Sequence, residues 1–356
     1  MEPTASRWAD RLQALWWQPA PPPWPLRLPA ALFTLLVRLR HWLYRHRWLR
    51  TEHLRVPVIV VGNRIVGGAG KTPVTVALIE ALRAAGWRPG VVSRGHGRHS
   101  TEVRRVTVDS PAHDVGDEPL LLARRTHAPV WVGRDRVQAA QALLAAEPGV
   151  NVLVCDDGLQ HLRLGRDLEL IVFDARGAGN GHLLPAGPLR EPLHTPSTAR
   201  HHWVLYNAPQ PSTPLPGWTT QRGLAGLVPL AGWWADEAAQ ADSFALLADL
   251  PEPVWAVAGI GSPQRFFDDL AARGLHCHAV PLADHHDFDA LPWPTVVCHV
   301  VVTEKDAVKL DPARIARERP GCSVWVAPLA LTLPPALLAA LLQAVGPPHR
   351  PAQDAG

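Results

Sequence analysis

The chain has 356 residues, enough for two domains of ordinary size, and its 47% hydrophobic content excludes wholesale disorder. A net charge of +3, from 35 basic and 32 acidic residues, carries no nucleic-acid signature over the whole chain. The cysteines (Cys155, Cys277, Cys298, Cys322) lack C-x-x-C spacing, which argues against a disulfide framework or structural zinc site and fits a reducing compartment.

Residues 1–27 are rich in Pro and Trp (Trp16, Trp17, Pro21, Pro22, Pro23, Trp24) and have no cleavable signal-peptide layout. An uncharged run from Pro29 to Val37 follows, then a belt of Arg38, Arg40, Trp42, Tyr44, Arg45, Arg47, Trp48 and Arg50. Such a run falls well short of the roughly twenty residues needed to span a bilayer. An apolar helix leading into an Arg/Trp/Tyr belt without an acid predicts an interfacial helix on an anionic membrane surface. A helix packed on the core with a solvated basic face would share its periodicity.

The stretch from Pro57 to Pro73 organises the chain. Val58 to Val61 is a short β-branched run, typical of a strand buried on both faces. A glycine-dense loop comes next, then Lys71-Thr72, then helical spacing through Val74, Leu78, Ile79 and Leu82 to a stop at Gly86. Strand, glycine loop, Gly-Lys-Thr and helix together predict a phosphate-binding P-loop. Gly67, Gly68, Ala69 and Gly70 bring backbone N–H groups close to phosphate oxygens, Lys71 serves the β- and γ-phosphates, and the Thr72 hydroxyl suits Mg2+. Ile65 stands where the general motif has its first glycine.

Further strand-and-loop units follow. Gly90 to Ser93 leads into Arg94 and Gly95, and in open α/β sheets such strand ends face the ligand crevice. Gly116-Asp117-Glu118-Pro119 opens a helix. Pro129 to Val132 leads to Arg134, and a helix from Val137 to Ala146. The apolar strand Asn151 to Cys155 runs straight into Asp156-Asp157, a Walker-B arrangement for Mg2+ beside a P-loop. Gln160, His161 and Arg163 come next. Strand Leu168 to Asp174 enters a long Gly/Pro loop, Gly177 to Pro192, with the character of a substrate-binding loop. His202 to Tyr206 reads as the last strand of the first domain, and residues 213–232 as linking strands. A second α/β unit then holds strand Val254–Ala258, helix Phe266–Arg273, strand Val296–Val302 and terminal helix Pro335–Val345. The last ten residues read as a frayed tail. The expected organisation is an N-terminal membrane-associated helical segment (1–55), a P-loop domain (56–212), linking strands (213–232), a smaller C-terminal α/β domain (233–346) and a tail (347–356). Asp284 to Asp287 cannot build a local metal site, because neighbours on an extended chain point to opposite faces. A lone histidine supplied across a domain cleft is the functional reading, and an ordinary surface loop the alternative.

As a set, these stretches resemble the tetraacyldisaccharide 4'-kinase family. The resemblance is carried by Gly62-Asn63 with Gly67 to Pro73, Ser93 to Gly95, Gly116 to Pro119, Asp156 to His161 and Leu183 to Pro192. It continues through Ala258 to Gly261 with Pro263 to Phe267, Asp284 to His286, and Thr303 to Val308. They run in family order from about residue 28 to 310, and the family shares the missing first glycine at Ile65. His96 and Arg98 depart from the family's more usual Tyr and Gly. The resemblance implies a P-loop NTPase-like, mostly parallel α/β sheet with helices on both faces, a second smaller α/β domain and a membrane-interfacial helix. It implies transfer of the ATP γ-phosphoryl group, with Mg2+, to the 4'-hydroxyl of a tetraacylated glucosamine disaccharide 1-phosphate in lipid A biosynthesis. By the same resemblance Asp117 is the base and His285 its partner. Lys71 stabilises charge, and Thr72 with Asp156 or Asp157 serves the metal. Glu118, His161 and Arg190 are assigned to the metal shell or substrate phosphate, and Arg94 and Arg134 to the lipid's sugar-phosphate. The partners implied are the lipid precursor and the membrane surface, at the cytoplasmic face of a bacterial inner membrane, with no nucleic acid and no obligate protein partner. A P-loop GTPase or ATPase acting on a protein or metal-delivery partner is the alternative within the same class, and a non-catalytic nucleotide-binding module another.

Overall fold

The computed structural model describes residues 12–18 and 20–348. Most of the expected tail, and the first part of the expected membrane-associated segment, lie outside the described residues. The chain forms two compact units, both discontinuous. One comprises residues 1–94, 128–221 and 333–356, the other 95–127 and 222–332.

The first unit is built on seven mutually parallel strands. Its strands are β1 (Val58–Gly62), β2 (Pro89–Ser93), β3 (Val130–Val132), β4 (Val152–Asp156), β5 (Leu168–Asp174), β6 (His201–Asn207) and β7 (Trp218–Thr220). Their spatial order is β3-β2-β4-β1-β5-β6-β7, each neighbour parallel. β1, β2, β4 and β5 are buried along their whole lengths. That is why they read as continuous apolar runs rather than alternating ones. Helix α1 spans Trp24–Arg45, α2 Lys71–Ala84 and α3 Arg136–Ala146. Asp135 caps α3, its carboxylate accepting the Val137 N–H at 3.0 Å.

Along α1 only Ala30 is buried, while Leu28, Leu32, Leu35, Leu36 and Leu39 stand exposed. No helix among the described residues is long and apolar enough to cross a membrane.

The second unit carries β8 (Val228–Pro229), β9 (Trp255–Ala258), β10 (His278–Pro281), β11 (His299–Thr303) and β12 (Ser323–Ala327), in the order β8-β12-β11-β9-β10. In this sheet the β8–β12 pair is antiparallel and the other pairs are parallel.

Several sequence expectations change here. The linking strands are sheet members: β7 extends the first sheet past β6, and β8 edges the second. The terminal helix Pro335–Val345 groups with the first unit, and residues 95–127 with the second. Composition marks exposed connections but not which core a distant segment joins, so a split into contiguous blocks misses both exchanges. Val296 is 83% exposed, and the strand begins only at His299. The Pro294 carbonyl accepts the Val297 N–H at 3.2 Å, a turn that keeps those β-branched residues out of the ladder.

Candidate active site

The loop between β1 and α2 has the glycine conformations a phosphate cradle needs. Gly67 and Gly70 have φ of 85° and 77°, a region side chains disfavour. A Cβ on Gly70 would also lie 2.1 Å from Asn207 Nδ2. The loop's outer face is braced by side chains. Asn63 Nδ2 donates to the Gly67 carbonyl at 3.0 Å, and Arg176 Nη2 to the Gly68 carbonyl at 2.6 Å. Arg176 is itself held by Asp174, with Nε 3.0 Å from Oδ2, and lies 4.5 Å from the Trp17 ring centroid. With these carbonyls taken by protein donors, the loop offers an anion its N–H groups and the N-terminus of α2.

Lys71 is buried, its ammonium 3.5 Å from Asn63 Oδ1 and 3.6 Å from Asp157 Oδ1. Asp156 ends β4 in full burial and accepts the Thr75 hydroxyl at 3.0 Å. Asp157, just beyond, has φ of 49° and receives Arg190 Nη1 at 3.1 and 3.3 Å. Burial pushes the Asp157 carboxyl up, but Lys71, Arg190 and Arg136 outweigh it and hold the group below the ordinary carboxylate range. Thr72 is half-buried in the first turn of α2.

The remaining first-unit expectations divide. Arg190, assigned to substrate, is engaged by Asp157 and lies 3.4 Å from Gln160 Oε1. His161 is only 19% exposed and faces Asp135 at 3.4 Å. Burial, reinforced by Arg136, lowers its pKa to about 4. Arg94 and Arg134 are exposed at the ends of β2 and β3. Glu191 joins two elements, forming an ion pair with Arg64, its Oε1 3.1 Å from Nε, and lying 3.3 Å from His41 Nε2 of α1. Arg64 also donates to the carbonyls of Leu193 and Thr195.

The second unit holds a separate charged cluster. Asp117 starts the helix Asp117–Thr126, after Gly116 with φ of 92°. Its Oδ2 lies 3.0 Å from His285 Nδ1 and 3.4 Å from Lys309 Nζ. His285 has φ of 62° and donates its backbone N–H to Gly259 O at 3.2 Å. Its Nε2 is 3.4 Å from Lys305 Nζ, so an Nδ1–H tautomer donates to Asp117 and accepts from Lys305. Lys305 also meets Asp284 at 3.1 Å and Glu118 at 3.5 Å. Lys309 bridges to buried Asp306 at 3.3 Å, and Asp306 accepts from the Thr303 hydroxyl and the Gly259 N–H. Burial pushes the Asp117 carboxyl up, yet the His285 hydrogen bond and then Lys309 bring it below its ordinary value. A cavity of about 850 Å³ opens beside Asp117, His285 and Lys309, with Trp234, His99 and His113 among its walls.

Asp117 and His285 were expected to meet across a domain cleft, but they belong to one unit because residues 95–127 fold with it. Glu118, expected at a metal, lies beside Lys305 in the same cluster. No grouping of three or more metal-type side chains occurs among the described residues. Sequence reasoning assigned no role to Asn63, Arg176, Lys305 or Lys309. Asn63 and Lys305 fall inside family-like stretches that could have flagged them, whereas Arg176 and Lys309 carried no such signal.

A parallel sheet with a glycine loop between its central strand and the next helix, a buried lysine, and paired aspartates on the adjacent strand defines a P-loop phosphotransferase fold. Residues 23–346 match the Tetraacyldisaccharide-1-P 4'-kinase family, and the chain belongs to it. It is 57% identical to the Tetraacyldisaccharide 4'-kinase of Leptothrix cholodnii over 352 residues, 99% of this chain and 100% of the relative. The same-named protein of Methylibium petroleiphilum is 56% identical over 332 residues, 93% of this chain and 92% of the relative. Among solved structures it is similar to the "apo" form of LpxK from Aquifex aeolicus in complex with ATP. The TM-score is 0.72 at 26% identity, covering 90% of this chain and 98% of that one.

Proposed function

We propose that this protein is an ATP-dependent kinase that phosphorylates the 4'-hydroxyl of a tetraacyl disaccharide 1-phosphate in lipid A biosynthesis. Family membership over nearly the whole chain supports the reading, and the 3.0 Å Asp117–His285 contact is the observation that carries it. A P-loop hydrolase acting on a protein partner has no need of such a pair.

In this reading the loop Gly67–Gly70 and the N-terminus of α2 hold the ATP phosphates. Lys71 offsets charge on the transferring phosphoryl group. Mg2+ is a hard cation that takes oxygen donors, and the Thr72 hydroxyl and the carboxylates of Asp156 and Asp157 fit it chemically. Bound there, it would neutralise phosphate charge. Asp117, ionised at neutral pH because its neighbours outweigh burial, orients the sugar hydroxyl and accepts its proton as transfer proceeds. His285 keeps that carboxylate in place through Nδ1. His161, Arg190, Arg94 and Arg134 remain candidates for the lipid's sugar-phosphate. The exposed leucines of α1 and the arginines after them hold the enzyme on the membrane surface, where a four-chain substrate resides. The corresponding location is the cytoplasmic face of the inner membrane.

The test is transfer from γ-labelled ATP to tetraacyl disaccharide 1-phosphate in detergent, comparing wild type with Asp117→Asn. Labelled lipid from wild type, reduced at least a hundredfold or so in the variant at unchanged ATP affinity, is expected of a general base. Phosphate release without labelled lipid would overturn the kinase reading.

A further inference from the structure

The first unit contains a second large cavity, far in character from a nucleotide site. A groove of about 1140 Å³ runs between the C-terminal half of α1, with the segment after it, and the loop 192–198. Arg38, Arg45, Arg47 and Arg50 line it, with His41, His53, His194 and Arg166, the last paired with Glu169 at 3.1 Å, and its lining contains no Asp or Glu. None of the first four arginines has a carboxylate within ion-pair distance among the described residues, although the chain carries nearly as many acids as bases. Unpaired guanidiniums converging on one concavity make a site for an anion, and their forked donors match phosphate oxygens.

The groove's far wall is fixed. The carbonyls of Leu193 and Thr195 are held by the buried Arg64 guanidinium, and the Thr195 hydroxyl donates to Pro192 O at 2.8 Å. The near wall belongs to the helix whose other residues are the most exposed apolar side chains of the unit. Leu28 is 79% exposed, Leu35 62%, Trp24 80% and, just past the helix, Trp48 74%. Trp42 and Tyr44 line the groove itself. Apolar side chains at one end, and an aromatic and arginine belt around a cavity at the other, match the depth profile of a bilayer from acyl chains to headgroups. A soluble anion would account for the arginines but not for their continuity with the leucines.

We infer that this groove binds the phosphate headgroup of an anionic glycerophospholipid of the surrounding membrane, as a discrete site distinct from that of the lipid acceptor. The inference rests on the membrane-surface reading above. It adds to it a saturable pocket with a defined lining, in place of diffuse attraction.

Two measurements on the full chain test it. The first is titration with short-chain phosphatidylglycerol below its micelle concentration, followed by calorimetry and 31P line broadening. One-to-one binding is expected, absent with short-chain phosphatidylcholine and lost in Arg45→Gln/Arg47→Gln/Arg50→Gln. The second is partitioning onto phosphatidylcholine vesicles with and without phosphatidylglycerol. At roughly fivefold per basic residue at an anionic surface, the triple variant should bind the anionic vesicles on the order of a hundredfold more weakly. Arg27→Gln/Arg40→Gln, which removes charges of α1 outside the groove, should lose far less. An unchanged melting curve checks that the variants fold. If wild type ignores both vesicle types, the membrane-surface reading fails and the groove with it. If vesicles bind but the two sets of variants weaken equally per charge removed, the surface is diffuse and the pocket is refuted. If the triple variant instead raises KM for the lipid acceptor in phospholipid-free neutral detergent, the groove holds the acceptor's own phosphate and the inference is wrong.

Discussion

Replacing His161 with Gln should make the protein less sensitive to acid. In the unfolded chain an imidazole takes up a proton as pH falls through about 6.5. In the folded protein burial, helped by Arg136, delays that uptake to about 4. Between the two values the unfolded state binds more protons, so His161 makes stability fall as pH falls through that window. The full difference corresponds to about 3 kcal/mol at about 1.4 kcal/mol per pKa unit, and about 2 kcal/mol of it is already lost at pH 5. Gln is neutral throughout and carries no such dependence. Urea unfolding of both proteins at pH 7.5 and pH 5.0 gives the comparison. The wild type should lose about 2 kcal/mol more than His161→Gln between the two conditions. Equal losses, or an imidazole that titrates near 6.5 by NMR in the folded protein, would show that the surroundings of His161 do not hold it neutral.

Gly70→Ala forces a side chain into a left-handed conformation and against Asn207. It should cost about 1–2 kcal/mol from backbone strain alone and weaken nucleotide binding, measured by melting and by equilibrium titration with ATP. Lys309→Met leaves the carboxylates of Asp117 and Asp306 without their shared cation. A loss of roughly 3–5 kcal/mol is expected in denaturant unfolding. Because Lys309 lowers the pKa of Asp117, its removal should also move the acid limb of the rate profile to higher pH. A limb that stays in place would show that it is not set by an Asp117 tuned by Lys309.

What could be read from the sequence was local. The P-loop between Val58 and Pro73 is one continuous stretch whose strand, turn and helix follow from neighbouring residues, and the structure places each where expected. The Asp156 strand end was legible for the same reason. Contacts between residues far apart in the chain were not. Nothing in spacing announces that Arg176 braces the Gly68 carbonyl 108 positions away, or that Lys309 reaches Asp117 across 192. The Asp117–His285 pair came from family likeness alone, and its membership of a single unit was missed because residues 95–127 leave the first core and return. Arg190 was expected to await a ligand, but an arginine beside an aspartate finds a protein partner first.

Glu191 gives the N-terminal helix a standing that a simple tether would not have. One carboxylate oxygen faces His41 in α1 and the other pairs with Arg64, two residues after β1 and three before the first glycine of the phosphate loop. The next residue back, Arg190, holds Asp157. Force applied to α1 therefore reaches the nucleotide loop through the side chains of His41, Glu191 and Arg64 as well as through the backbone. On the membrane-surface reading proposed above, a chimera whose own helix is exchanged for an unrelated amphipathic anchor would regain attachment to a surface but not this linkage, and helix and nucleotide loop would then act as one machine part rather than as a plug and a socket.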